Sequence, residues 1–184
     1  CLIPSLCLAA GCQSITYSPQ LSLGASSATI GATVRIVEFR DETPSQDHQP
    51  RFLHFVATEP GSLAGSLATS VTNEVLADLQ RNQVFREISK NPANPDLVLA
   101  GVLRRFFGAS RILWFTIPID PLWYLGVPCC ADEGMVDLLV TVSRPDGTEV
   151  ARYEASSSFG GIFTVYNNRL SAIGTSLNRA FDRV

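Results

Sequence analysis

The sequence predicts an α+β domain, a mainly antiparallel sheet with two amphipathic helices packed on one face. Three observations carry this expectation: alternating apolar runs typical of strands, two segments whose apolar residues recur every three to four positions, and Pro- or Gly-centred breaks between them. Their order is strand, helix, strand, strand, hairpin, helix, which places the helices together on the sheet.

The first strand is read from Ala32 to Arg40 (ATVRIVEFR), and Asp41-Glu42-Thr43-Pro44 stops it at the proline. The polar segment from Ser45 to Pro60 holds a short edge strand around Phe52, Leu53, Phe55 and Val56. Leu63, Leu67, Val71 and Val75 are spaced by four, with Leu76 and Leu79 widening the stripe, so a helix follows. Gly61-Ser62 is its expected N-cap, and Thr72, Asn73 and Asp78 are expected away from the apolar stripe.

Gln83 to Ser89 reads as a short strand, closed by Asn91-Pro92-Ala93-Asn94-Pro95. Asp96 to Phe107 is a long strand with Leu97, Leu99, Gly101 and Leu103 on one face and Val98, Ala100 and Val102 on the other, a pattern that covers both faces. Val136 to Ser143 and Glu149 to Ser157 form a hairpin about Arg144-Pro145-Asp146-Gly147, where Pro145 presets φ and Gly147 accepts a positive φ. After a bend at Gly160-Gly161, a last helix is expected from about residue 167 to 183, with Leu170, Ile173, Leu177 and Phe181 on one face. Arg179 and Arg183 complement the dipole at its C-terminal end.

Composition fits one domain able to hold a core: 46% hydrophobic, 17% charged, formal net charge −3. A mildly acidic chain lacks the basic surplus that phosphate contacts require, so no nucleic-acid partner is expected. Ile112 to Pro128 is the longest apolar stretch after residue 12, but Pro118, Pro121, Pro128 and Asp120 rule it out as a membrane-spanning helix.

Leu8-Ala9-Ala10-Gly11-Cys12 follows an apolar stretch and precedes polar Gln13-Ser14. This run resembles the lipobox of bacterial lipoproteins, in which the signal is cut before a cysteine that then carries a diacylglycerol. The resemblance implies lipidation at Cys12, a membrane partner reached through that lipid, and removal of residues 1–11. No Met opens the chain and no Lys or Arg precedes Arg35, so the signal is expected to be truncated at its start. Residues 12–30, rich in Ser, Gly, Ala and Thr, are then a lipidated tether, and 31–184 the domain. Because Gln13 stands where the family's inner-membrane retention signal has Asp, the resemblance implies the periplasmic face of the outer membrane.

Phe39-Arg40-Asp41-Glu42, the amphipathic helix, the strand Asp96-Leu-Val-Leu-Ala-Gly, the return strand with Tyr-Glu-Ala-Ser and the C-terminal helix resemble small YajG-like and transport-auxiliary lipoproteins, compared with the N-terminal domain of TolB. That resemblance implies an accessory or assembly role in the envelope, with no catalytic residues to carry over. A lipid-anchored periplasmic enzyme and a subunit of an envelope pore or filament are the alternatives.

Searching for chemistry yields no catalytic, metal or cofactor site. His48 and His54 lack metal-ligand spacing, and no phosphate loop, nucleophile elbow or dinucleotide fingerprint occurs. The carboxylate pairs Asp41-Glu42 and Asp132-Glu133 read as solvated turns, and Arg104-Arg105 with Arg111 as a solvated strand end too sparse for a polybasic patch. With Cys1 and Cys7 leaving in the signal and Cys12 acylated, Cys129-Cys130 remain. Their Cα atoms, about 3.8 Å apart across a trans peptide, are closer than the usual disulfide span of about 4.4–6.8 Å. Two reduced or partly buried thiols at a strand entrance, a vicinal redox disulfide and an intermolecular bridge are the three readings.

The segment 112–128 carries both tryptophans of the chain. Its prolines are expected to exclude regular structure. Such a loop either folds back as a core plug or contacts a bilayer, an envelope protein or a second copy. Trp114, Phe115, Trp123 and Tyr124 are the residues singled out for that contact.

Overall fold

A computed structural model describes Pro19 and residues 28–49, 52, 54–56, 66–164, 166, 178 and 179. The signal, Cys12, most of the tether and most of the expected last helix lie outside the described residues, as does the expected cap at Gly61-Ser62.

The α+β architecture is present. Its strands are β1 (Ile30–Ile36), β2 (Arg40–Asp41), β3 (His54–Val56), β4 (Phe85–Ser89), β5 (Leu97–Ile112), β6 (Cys130–Ser143) and β7 (Glu149–Phe163), with helix α1 (Leu67–Arg81) between β3 and β4. They form one sheet of order β4-β1-β5-β6-β7. β5 is its spine: one edge pairs with β6, and the other with β1, β2 and β3 in succession. The long β5–β6 and β6–β7 ladders are antiparallel, whereas β1 runs parallel to β4 and β5, and β2 parallel to β5.

The first strand is shorter than expected because the chain leaves the sheet after Val37, whose amide still donates to the Leu99 carbonyl (2.8 Å). The Phe39 amide donates to Thr72 Oγ1 on α1 (2.9 Å) instead of to a strand. Phe39 is then buried with Val34, Ile36, Leu67, Val71, Ile88, Leu99, Leu103, Phe106, Val136 and Leu138, the core between the sheet and α1.

α1 begins later than expected, at Ser66, whose Oγ accepts from the Thr69 amide. Its polar residues are not all solvated: Thr72 and Asp78 are fully buried. Thr72 Oγ1 donates to the Ala68 carbonyl while receiving the Phe39 amide, and Asp78 accepts from Arg81 and Asn82, so each buried polar group has partners. Gln83, at φ 50°, reverses the chain after the helix, which delays β4 to Phe85.

β5, β6 and β7 extend further than their apolar alternation indicated. Gly160 and Gly161 make no bend; they pair with Glu133 and Asp132 inside β7. The hairpin turn forms as expected, with the Gly147 amide donating to the Arg144 carbonyl (2.9 Å) and Gly147 at φ 89°. Asn178 and Arg179 are helical, and the Arg179 guanidinium lies 4.8 Å over the Phe159 ring. Phe159 packs against the same core as α1, so this helical turn shares its face.

Candidate functional site

The far end of the spine carries the site. The β5–β6 ladder closes at Ile112 opposite Cys130, and the Leu113 amide donates to the Cys129 carbonyl (2.9 Å) beyond it. Trp114–Leu125 then forms two short 3₁₀ turns that meet at Ile119, contrary to the expectation of an irregular loop. A 3₁₀ turn has the φ that proline's ring imposes, so Pro118 and Pro121 shape the turns without breaking them. Thr116 is buried, with its amide and Oγ1 both donating to the Leu113 carbonyl, and Gly126 at φ 89° ends the segment.

This tip presents apolar side chains to solvent. Trp114 is 74% exposed, Tyr124 68% and Leu125 79%, and Phe115, Ile117, Ile119 and Leu122 are exposed beside them. The Trp114 and Phe115 rings meet edge to face with centroids 6.2 Å apart. Trp123 differs from the other three aromatic residues singled out in the sequence: it is half-buried, and its indole Nε1 is enclosed without a hydrogen-bond partner. The tip is therefore a plug through Trp123 and an exposed apolar surface through Trp114, Phe115 and Tyr124. Leu125, Ile117, Ile119 and Leu122 extend that surface; they lie in the same apolar run, where aromatic content does not mark them.

The remaining sequence candidates are dispersed. His48 Nε2 lies 3.9 Å from Asp41 Oδ2, and His54 is in β3 opposite Arg111. Strand alternation sends Asp132 into the interior and Glu133 to solvent, so they form no carboxylate pair and only Glu133 is solvated as expected. Arg104 and Arg105 stand mid-strand, not at a strand end, and point to separate partners. Arg104 pairs with Glu154 (3.2 Å), while Arg105 Nε donates to Asp47 (2.9 Å), a bond that raises the guanidinium pKa against its partial burial. Among the described residues no cluster of three or more His, Cys, Asp or Glu could hold a metal ion, and no helix is long and apolar enough to cross a membrane. Cys129 and Cys130 are buried and not joined by a disulfide, with Sγ atoms 3.0 Å apart.

No family model and no curated protein matches the chain. Among solved structures it is similar to protein XCC0632 from Xanthomonas campestris, of family DUF330, at 13% identity and TM-score 0.52, covering 91% of this chain and 88% of that one. A more distant likeness, at 13% identity and TM-score 0.29, is to lipoprotein GNA1162 from Neisseria meningitidis, covering 82% of this chain and 96% of that one. At such identities the first likeness establishes the fold alone.

Proposed function

We propose that this protein is a non-catalytic lipoprotein of the bacterial envelope, anchored to the outer membrane through Cys12, that serves as an accessory or assembly subunit by docking its apolar tip on a protein partner. The exposed Trp114, Phe115, Tyr124 and Leu125 on one turn-built segment carry this reading. Aromatic residues on preformed turns suit protein contact, since they bury much area at small conformational cost. The lipobox-like run and the likeness of the elements to YajG-like and transport-auxiliary lipoproteins support the anchor and the accessory role.

Topology favours a protein over the anchoring bilayer. β1 is parallel to β5, with Val34 beside Leu97, so the tether enters the sheet at the end opposite the tip. From Ile30 to the level of Ile112 the sheet runs about 60 Å at about 3.3 Å per residue. An anchor at Cys12 would therefore join the sheet at the end away from the tip.

Two experiments test the reading. Cys12→Ala in the full-length gene is expected to release the protein from membranes and abolish labelling by a palmitate analogue; unchanged retention and mass would end the lipoprotein reading. Trp114→Glu with Tyr124→Glu is expected to leave the fold and membrane fraction unchanged while abolishing crosslinks from the tip to a specific envelope protein. Crosslinks unaffected by the charges, or loss of binding to protein-free liposomes instead, would reject the protein-docking tip.

A further inference from the structure

Among the described residues β7 is an edge strand of the sheet. It is 15 residues long, and among the described residues it pairs only with β6. Natural edge strands are blunted by shortness, proline, bulges or charged side chains, lysine above all, because an open row of backbone donors and acceptors recruits another strand; the charges of β7 are of both signs, Glu149, Arg152 and Glu154. Glu149–Phe163 contains neither proline nor lysine. Its first six residues, Glu149 to Glu154, are all exposed, including Val150 (53%) and Tyr153 (59%), so this half of the strand is open on both faces of the sheet.

We propose that β7 is a self-association surface, pairing antiparallel with β7 of a second copy about a two-fold axis at Tyr153 and joining two sheets into one. The charge pattern selects both the occupant and the register. A two-fold perpendicular to the sheet sets residue i opposite residue j of the second copy, with a fixed sum and one residue facing itself. Centred on Tyr153, it sets Arg152 opposite Glu154 of the partner subunit and Glu154 opposite Arg152 of the partner subunit. Centred one residue away on either side, it sets Arg152 against Arg152 or Glu154 against Glu154, and like charges directly opposite oppose pairing. Every other centre leaves these charges facing uncharged residues.

Within one copy, Arg152 Nη2 and Glu154 Oε1 already lie 2.8 Å apart on one face, and Arg104 reaches the same carboxylate. The two-fold therefore closes a ring of alternating charges without moving any of them to the other face. The pairing covers Glu149 to Ser157 of each copy, with Ala151 against Ala155 and Val150 against Ser156, and it occupies the backbone edge of the half of β7 that is exposed. Exposed ion pairs add little affinity, so the charges fix register while the backbone ladder and the cross-strand contact of the two Tyr153 side chains supply the attraction. This surface is separate from the tip, and its test does not depend on a tip partner.

Cysteine crosslinking of the full-length protein in membranes reads the register directly, because facing residues bring their Cβ atoms within disulfide range. Tyr153→Cys is expected to form a covalent dimer under mild oxidation severalfold faster than Ser156→Cys or the wild type. Arg152→Glu and Glu154→Arg are each expected to shift purified protein from dimer to monomer in sedimentation, and the double reversal to restore the dimer. Faster crosslinking at Ser156, a wild-type monomer at high concentration, or protection of the β7 edge from amide exchange in a monomer would overturn the proposal, the last by assigning the edge to this chain's own N-terminal segment.

Discussion

The Phe39 ring lies against Gly101: a Cβ built on Gly101 would meet ring carbons of Phe39 at 2.6 Å, closer than any real contact. Phe39 leaves the sheet after β1 and folds back over β5, and only a residue without a side chain leaves room for it. Gly101→Ala is therefore expected to cost about 1–3 kcal/mol through overpacking, a fall of several degrees in melting temperature. Combining it with Phe39→Leu should recover part of that loss. Equal and additive effects in the double mutant would show that the ring and the glycine do not share one space.

Asp78 is the second buried dependence. Its carboxylate, fully enclosed near the end of α1, accepts from Arg81 (3.0 Å) and Asn82 (3.1 Å). A carboxylate at a helix C-terminus opposes the dipole, so these partners are what make its burial tolerable. Asp78→Ala is expected to lower stability by about 1.5–3 kcal/mol, and Arg81→Ala by less, because Asn82 remains. Urea denaturation of the two variants orders them, and an Asp78→Ala protein as stable as wild type would remove the carboxylate from the account.

The sequence made α1, the β5 spine and the hairpin legible, because apolar period and turn chemistry are local signals. Leu67, Val71 and Val75 announce a helix face, and Pro145-Asp146-Gly147 announces a turn, whatever surrounds them. What escaped was set by tertiary contact. Thr72 reads as polar helix surface until the Phe39 amide needs an acceptor, and Asp78 until Arg81 and Asn82 enclose it. Gly160-Gly161 reads as a bend, yet the partner strand holds it extended, with the Phe163 ring beside Gly161. At the tip, composition marked the right segment, but which way each aromatic side chain turns depends on the 3₁₀ geometry, so Trp123 could not be told from Trp114.

The turn itself is testable. Gly147 takes φ 89°, and its amide closes the turn on the Arg144 carbonyl while Asp146 Oδ1 accepts from the Thr148 amide (2.8 Å). Gly147→Val forces a β-branched residue into the left-handed region, at a cost of about 1–3 kcal/mol. Gly147→Asn is expected to cost less, since Asn tolerates that region better. If the valine variant melts with the wild type, the turn has relaxed to another geometry.

Acid sensitivity should include Glu154. Hydrogen bonds from Arg152 and then Arg104 hold its carboxyl below the ordinary range. A depressed folded pKa contributes stability that is fully present above the unfolded glutamate value of about 4.3 and lost as pH falls through the folded one. Because the group is fully exposed, the effect is small and screened by salt. Glu154→Gln is expected to flatten the stability profile below about pH 5 at low salt and to leave it unchanged at high salt. A profile that steepens in the variant would contradict the sign.

The two tryptophans of the tip should respond oppositely to charge. Trp123 is half-buried with its indole nitrogen enclosed, so Trp123→Glu places a carboxylate where water has little access, at a cost of about 2–7 kcal/mol if it stays unpaired. Trp114 stands in solvent against the edge of Phe115, and Trp114→Glu removes little buried area, so its effect should stay within about 0.5 kcal/mol. Thermal unfolding of the two variants beside wild type measures the difference. A large loss at Trp114 would make the whole segment a core plug and leave no exposed apolar surface for docking. A stable Trp123→Glu protein would show the segment detached from the domain, with the contact surface free to reorganise around either ring.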